Sequence, residues 1–242
     1  MSSETAMSNG TAKRELEAIA HLRSDFPCKF GVPRQSGLVS QLQGRIVFTE
    51  KFRQAEALRG LEDFSHLWLI WDFSANKKQT SDNWQSTVRP PRLGGNRSMG
   101  VFATRSPFRP NGLGLSCVKI ERIQWESKDG PVIHVLGADL MDGTPIYDIK
   151  PYIAYADCIT DARCGFVDKI EKKRIEVRDE NNLLQAMSPE KAAALIEVLE
   201  QDPRPSYQDD PERIYGLPFA GFDVRFRVKD DRAFIIEINP LK

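Results

Sequence analysis

Between Asn83 and Ile120 the chain carries no aspartate or glutamate, while the same stretch holds Arg89, Arg92, Arg97, Arg105, Arg109 and Lys119. In a chain with 34 basic and 34 acidic side chains, that segregation makes a local positive field suited to a phosphate or a carboxylate. Gly94, Gly95, Gly100, Gly112 and Gly114 lie in the same stretch. Glycine lets a backbone approach a ligand closely and adopt positive φ. Guanidinium forks and backbone amides in a shaped loop would bind an anion. Ordinary turns with surface arginines are the alternative that these residues leave open.

A second polar cluster runs Asp139-Leu-Met-Asp-Gly-Thr-Pro145 and then Asp148-Ile-Lys-Pro-Tyr152. Asp142-Gly143 is a turn signal. Asp139 and Asp142, at the end of an apolar strand, can accept hydrogen bonds from ribose hydroxyls or an amine. They can equally cap a turn and pair with arginines. Asp148 and Lys150 read as a structural ion pair or as facing solvent, and Trp68, Trp71 and Trp84 as core rather than base-stacking platforms.

Other chemistries lack their signatures. No Gly-x-Gly-x-x-Gly joins a strand to a helix, and no Gly-x-x-x-x-Gly-Lys-Ser/Thr loop is present. His21, His66 and His134 are far apart, and Cys28, Cys117, Cys158 and Cys164 match no zinc spacing. The cysteines read as reduced thiols of a cytoplasmic protein, and no metal is expected. No apolar run approaches the roughly 20 residues that span a bilayer, and the polar terminus lacks a signal-peptide core. Zero net charge excludes a globally basic nucleic-acid binder but not a local patch.

The elements that must position these residues are short. Arg45–Glu50, Leu67–Phe73, Cys117–Glu121 and Val132–Ala138 read as strands, Leu67–Phe73 as an apolar run covered on both faces. Phe52–Arg59 predicts two helical turns ended by Gly60. Residues 1–14 are expected to be disordered, 15–168 to form a β-barrel domain, and 169–187 to be a charged connection or exposed edge. Residues 188–242 predict a small α+β domain. Its helix opens at Ser188-Pro189 and stops at Asp202-Pro203, and a hairpin follows with strands Asp223–Val228 and Ala233–Ile238 around Lys229–Arg232. The fold class is mainly β.

Five ordered motifs add a resemblance. They are Phe30-Gly-Val-Pro-Arg-Gln35, Gly60-Leu-Glu-Asp-Phe-Ser-His-Leu-Trp68, Arg89-Pro-Pro-Arg-Leu-Gly-Gly95, Met99-Gly-Val-Phe-Ala-Thr-Arg-Ser-Pro-Phe-Arg-Pro-Asn111 and Asp139–Tyr152. The tail, Val198–Tyr207 with Phe222–Val228, looks like the longer bacterial members. With these, residues 16–240, apart from the charged stretch, resemble the tRNA threonylcarbamoyladenosine N6-methyltransferase family, also called TsaA-like or YaeB-like.

The resemblance implies a YaeB-like β-barrel and S-adenosyl-L-methionine as methyl donor. It also implies a homodimer with its site near the interface, and methylation at N6 of threonylcarbamoyladenosine at position 37 of threonine tRNA. Carried over residue by residue, the donor contacts are Pro33, Arg34 and Gln35; Ser74 and Ala75; Arg105 and Leu115; and Ala138, Asp139, Leu140, Met141 and Asp142. At Ser74 and Ala75 the family often has histidine. Where the family reads Arg-Pro-Asn-Pro-Ile-Gly, this chain reads Arg109-Pro-Asn-Gly-Leu-Gly114. Asp139 is the candidate proton acceptor. Arg109 and Asn111, with Arg204, Arg213, Arg225 and Arg227 of the C-terminal domain, are candidates to hold the tRNA anticodon stem-loop. A non-catalytic barrel that binds RNA or an anionic metabolite is the alternative function, and a hydrolase using Ser116 or Cys28 is a third class.

Overall fold

The computed structural model describes residues 15–76, 84–93, 97–170, 173–205 and 210–241. The terminus expected to be disordered, together with Gly94, Gly95, Ser206 and Tyr207 of the quoted motifs, lies outside them. The N-terminal strands are β1 Ala20–Ser24, β2 Gln43–Phe48, β3 His66–Asp72, β4 Thr87–Val88, β5 Met99–Gly100, β6 Leu113–Gln124, β7 Val132–Leu136 and β8 Pro145–Pro151. Six of them close an antiparallel barrel in the order β1-β2-β7-β6-β3-β8, and β4 and β5 make a separate two-residue ribbon. Period-2 alternation sends Ala20, Leu22, Ile46, Leu67, Leu69, Val118, Ile133, Val135 and Ile146 inward to one core.

The apolar run at 67–73 differs from its reading. Leu67, Leu69 and Trp71 are buried, but Trp68 and Ile70 on the other face are only half-buried. The outer face carries polar work instead: Trp68 Nε1 donates to Asp157 Oδ2 at 3.0 Å, from the short helix α1, Ala154–Asp157. The two helical turns before Gly60 are 3-10 turns, Glu50–Phe52 and Ala55–Leu58, and Gly60 sits at φ 86°. Asp148 and Lys150 pair at 3.0 Å on the surface. Of the tryptophans, Trp71 joins the barrel core, while Trp84 is exposed against the Phe102 ring at 5.7 Å.

The second unit is a four-stranded sheet in the order β10-β11-β12-β9, with β9 Glu176–Arg178, β10 Tyr215–Phe219, β11 Phe222–Lys229 and β12 Arg232–Pro240. The charged segment supplies β9, which pairs in parallel with β12 as an edge strand. Helix α2, Pro189–Glu200, starts where Ser188 Oγ accepts from Lys191 N at 3.4 Å, and buries Ala194, Leu195, Val198 and Leu199. Asp230 and Asp231 turn the hairpin at φ 48° and 57°. Two adjacent positive φ angles match the right-handed twist of the strands, and aspartate tolerates them.

Candidate functional site

At one end of the barrel, the end of β3, the start of β6, the loop between β1 and β2, and the turn after β7 surround a cavity of about 630 Å³. The wall is built from the β3–β6 register, which sets Trp71 opposite Gly114 and Leu69 opposite Ser116. A Cβ on Gly114 would lie 2.2 Å from the Trp71 ring, so glycine is what lets the indole lie across the neighbouring strand. In that pose Trp71 Nε1 donates to Ser116 Oγ at 3.0 Å, and Ser116 Oγ donates to Asp139 Oδ1 at 2.6 Å.

Asp139 projects into the cavity from the turn after β7. Burial pushes its pKa above the ordinary carboxylate value, and the Ser116 hydrogen bond, the nearby backbone amides and the Arg105 charge pull the other way. Asp72, at the end of β3, is a second cavity carboxylate whose pKa burial also raises. Arg105 Nη1 donates to Gln35 Oε1, joining the arginine-rich segment to the β1–β2 loop. Lys29 Nζ donates to Asn76 Oδ1 across the same cavity. Among the described residues, no three His, Cys, Asp or Glu side chains gather as a metal site.

The residues expected to contact a donor are distributed as follows. Pro33, Gln35, Ser74, Ala75, Arg105, Leu115, Asp139, Leu140 and Met141 all line the cavity. Arg34 faces a neighbouring groove instead. Ala138 is buried in the barrel core. Asp142 accepts from Ser24 N at 3.1 Å and pairs with Arg23 at 3.5 Å, so it caps the turn. Arg109 also reaches the cavity, where its Nη1 donates to the carbonyls of Thr104 and Ser106, both at 3.2 Å. Asn111 is exposed and lines neither space.

In the C-terminal unit the arginines hold acids or rings. Arg204 pairs with Asp202 at 2.8 Å, Arg225 with Asp223 at 3.1 Å and Arg227 with Glu212 at 3.8 Å. Arg213 lies over the Tyr215 ring.

Sequence reading passed over Asp72 and Lys29, the packing of Gly114 against Trp71 and the positioning role of Ser116. The signal at Asp72 was present: a single acid interrupts the apolar run of β3. Lys29 and Ser116 carry no local signal, because only the closure of the barrel and the fold of the loop bring them to the cavity.

The cavity opens on a groove of about 1770 Å³, with which it shares Gln35, Ala75, Asn76, Thr104, Arg105 and Pro107. Arg34, Arg89, Phe102, Phe108 and Phe166 line the groove further out. Phe102 is 70% exposed and Phe108 51%. Cations and open aromatic faces beside a cavity form a surface on which unstacked bases and phosphates can lie.

Comparisons with known proteins find matches over most of the chain. Residues 21–158 match the family model of the tRNA-methyltransferase O N-terminal domain, and residues 172–241 that of the TrmO C-terminal domain. The chain is 40% identical over 235 residues to the tRNA (adenine(37)-N6)-methyltransferase of Escherichia coli, covering 93% of this chain and 98% of that one. It is 41% identical to a putative S-adenosylmethionine-dependent methyltransferase, RcsF, of Pseudomonas aeruginosa, covering 86% and 90%. A crystal structure of TrmO from P. aeruginosa superposes with a TM-score of 0.76 at 32% identity, covering 97% and 100%.

Proposed function

The chain belongs to the tRNA-methyltransferase O family, and on that premise we propose that its target is threonylcarbamoyladenosine at position 37, beside the anticodon of threonine tRNA. The coarser activity is S-adenosylmethionine-dependent methylation of a tRNA adenine at N6. Among the described residues no helix is long and apolar enough to cross a membrane; the cytoplasm, where tRNA is found, is the proposed compartment.

The observation that carries the reading is the continuity of a small, largely apolar cavity with a basic, aromatic groove. The cavity residues fit the donor. Phe73, Leu113, Leu115, Leu140 and Met141 offer apolar walls for an adenine ring, and Arg105 can meet a carboxylate. Asp72 suits an ammonium. The donor supplies an electrophilic methyl group on sulfur. Everything else is alignment and proton handling by the chain.

Asp139 accepts the proton that the target nitrogen loses. That N–H lies between a purine and a carbonyl, so it is acidic for an amine, and a buried carboxylate held by Ser116 suffices as acceptor. Trp71 and Ser116 fix the carboxylate's direction, which matters because in-line displacement is sensitive to orientation. Arg89 holds anticodon-loop phosphate or the threonyl carboxylate, while Phe102 and Phe108 take unstacked bases.

A second copy of the chain completes the rim. Leu115 at the cavity mouth is 57% exposed, and Tyr155 and Ile159 are exposed at 91% and 67%, which supports a homodimer with the site near its interface.

The test is methyl incorporation into threonine tRNA with and without prior threonylcarbamoylation. Incorporation only into the modified tRNA is expected; equal incorporation into both would sink the substrate assignment.

A further inference from the structure

The loop between β1 and β2, residues 25–42, has two faces. On its inner face Pro33 and Gln35 line the donor cavity. Backbone bonds lock that face to the turn carrying Asp139: Gly37 N to Gly137 O at 2.9 Å, Gly137 N to Leu42 O at 2.8 Å and Asp142 N to Phe26 O at 2.8 Å. Ser24 Oγ adds a bond to Leu140 O at 2.9 Å.

Its outer face enters the C-terminal unit. Phe26, Val39 and Leu42 are 0%, 1% and 0% exposed. They belong to the cluster formed by Leu195, Val198 and Leu199 of α2 and Leu217 and Phe219 of β10, and no residue of the loop belongs to the barrel core. The Phe26 and Phe219 rings lie 5.2 Å apart, and Ala220 N donates to Asp25 O at 2.9 Å. Glu197 of α2 accepts from Ser40 Oγ at 3.0 Å and from the amides of Ser40 and Gln41. Lys191 of α2 pairs with Asp25 at 2.6 Å, both side chains largely buried. Gly31, at φ 87°, is so close to β10 that a Cβ there would lie 2.2 Å from Leu217 Cδ1.

A loop this long orders only if its apolar side chains find a core. The core it finds is the one built by α2 and the C-terminal sheet, elements that line no part of the cavity. We propose that the C-terminal domain is the positioning element of the donor site: it seats the loop through Phe26, Gly31, Val39 and Leu42 and thereby sets Pro33 and Gln35 at the cavity wall. The coupling is reciprocal, since a ligand favoured by the seated loop must also favour the packing that seats it. The inference rests on the reading of the cavity as the donor site.

Two measurements on the full chain test it. The first is calorimetry with S-adenosylmethionine. Gly31→Ala drives a Cβ into Leu217 at a backbone angle that suits glycine, and is expected to weaken the donor Kd about tenfold while kcat at saturating donor stays within about twofold. Adding Leu217→Ala should return part of the affinity. Ile235→Ala, in the same core but on β12, beyond β11 from β10, should lower the melting temperature and leave the donor Kd unchanged.

The second measurement is hydrogen exchange on the unaltered chain, where S-adenosylmethionine should slow exchange of the α2 and β10 amides. This readout holds even if Gly31→Ala does not fold. A folded Gly31→Ala that binds the donor as the parent does, or α2 and β10 amides indifferent to the donor, overturns the proposal alone. A parent chain that does not bind S-adenosylmethionine at all overturns the donor assignment, and the proposal with it.

Discussion

Ser116 Oγ donates to Asp139 Oδ1 at 2.6 Å, as it must toward an ionised carboxylate, and a third residue joins the same hydroxyl. The Trp71 indole N–H can only donate, so at 3.0 Å it occupies a lone pair of the Ser116 hydroxyl and leaves the single hydroxyl proton for Asp139. Ser116 is 1% exposed, so water does not compete freely for that proton. The carboxylate is thus held as an acceptor in one orientation, by a strand of the barrel wall, inside the cavity.

Loss of that bond should be visible in the pH profile. Burial raises the Asp139 pKa, and the Ser116 bond is the largest influence that lowers it again. Ser116→Ala removes the lowering influence, so the pKa rises further. Proton acceptance needs the ionised form, so activity falls as pH falls through this pKa. The acid limb of kcat is therefore expected at higher pH in Ser116→Ala than in the parent. Stability runs the other way: a carboxyl whose pKa is raised by folding favours the folded state at low pH, and that contribution is lost as pH rises through the raised value. Methyl transfer to tRNA measured across pH checks the limb. A limb that stays in place removes Asp139 from the proton transfer.

Asp139→Asn separates two jobs for the same carboxyl. As proton acceptor, its loss should lower kcat by about 10²–10⁴-fold, the usual range for a general base. Donor binding by calorimetry should persist, since the amide keeps an acceptor oxygen and Asp72 still faces the cavity. The opposite outcome, donor affinity lost with kcat preserved at saturation, would make Asp139 a ligand of the donor's ammonium instead.

Much of this site can be read in the sequence because it lies in contiguous segments. The acid-free stretch with Arg105, and the strand end at Ala138–Asp142, stand out by composition and by turn residues. The turn at Asp230–Asp231 and the helix start at Ser188-Pro189 are equally local. What stayed hidden depends on closure. Ser116 looks like any small residue of an alternating strand until the β3–β6 register puts it beside Leu69 and the neighbouring Trp71 ring. Strands β1, β8 and β10 carry proline or too few apolar residues to declare themselves. The buried role of Phe26, Val39 and Leu42 is invisible because their partners come more than 150 positions later, a separation that no periodicity reports.

Gly114 should tolerate no side chain. The atoms that a Cβ would meet belong to a buried indole ring, with the three nearest at 2.2, 2.4 and 2.6 Å. Gly114→Ala must move the ring, break its bond to Ser116 and release Asp139. Overpacking of this kind costs about 1–3 kcal/mol, and thermal or denaturant unfolding should report that loss. A Gly114→Ala protein with parental stability would show that the indole has room to shift.

The groove predicts a different signature from the cavity. Phe102→Ala and Phe108→Ala remove exposed rings that contribute nothing to either core, so stability should be nearly unchanged. Stacking on one base is worth about 1–3 kcal/mol, so the KM for tRNA should rise about tenfold while the donor Kd holds. Arg89→Ala should weaken tRNA binding and flatten its dependence on salt concentration, as loss of a phosphate contact does. If instead either Phe variant dissociates a dimer without altering tRNA affinity, these rings belong to the subunit interface.

Gly112 sits where the family motif carries proline, yet its φ is 57°. Proline is confined to about −65° and has no N–H, whereas Gly112 N donates to Arg109 O at 3.3 Å. The Gly112 carbonyl in turn accepts from Phe73 N at 3.0 Å, tying the turn to the segment whose Ser74 and Ala75 line the cavity. Gly112→Pro would bring the sequence closer to its relatives and should nevertheless harm the protein. It must rebuild the turn, losing one backbone bond and straining the other, at a cost on the order of 1–3 kcal/mol. The melting temperature should drop and the donor Kd should rise with it, because Phe73 to Ala75 move with the turn. A Gly112→Pro chain that melts and binds donor like its parent would mean that the turn adopts the negative φ of the family proline without disturbing the cavity wall.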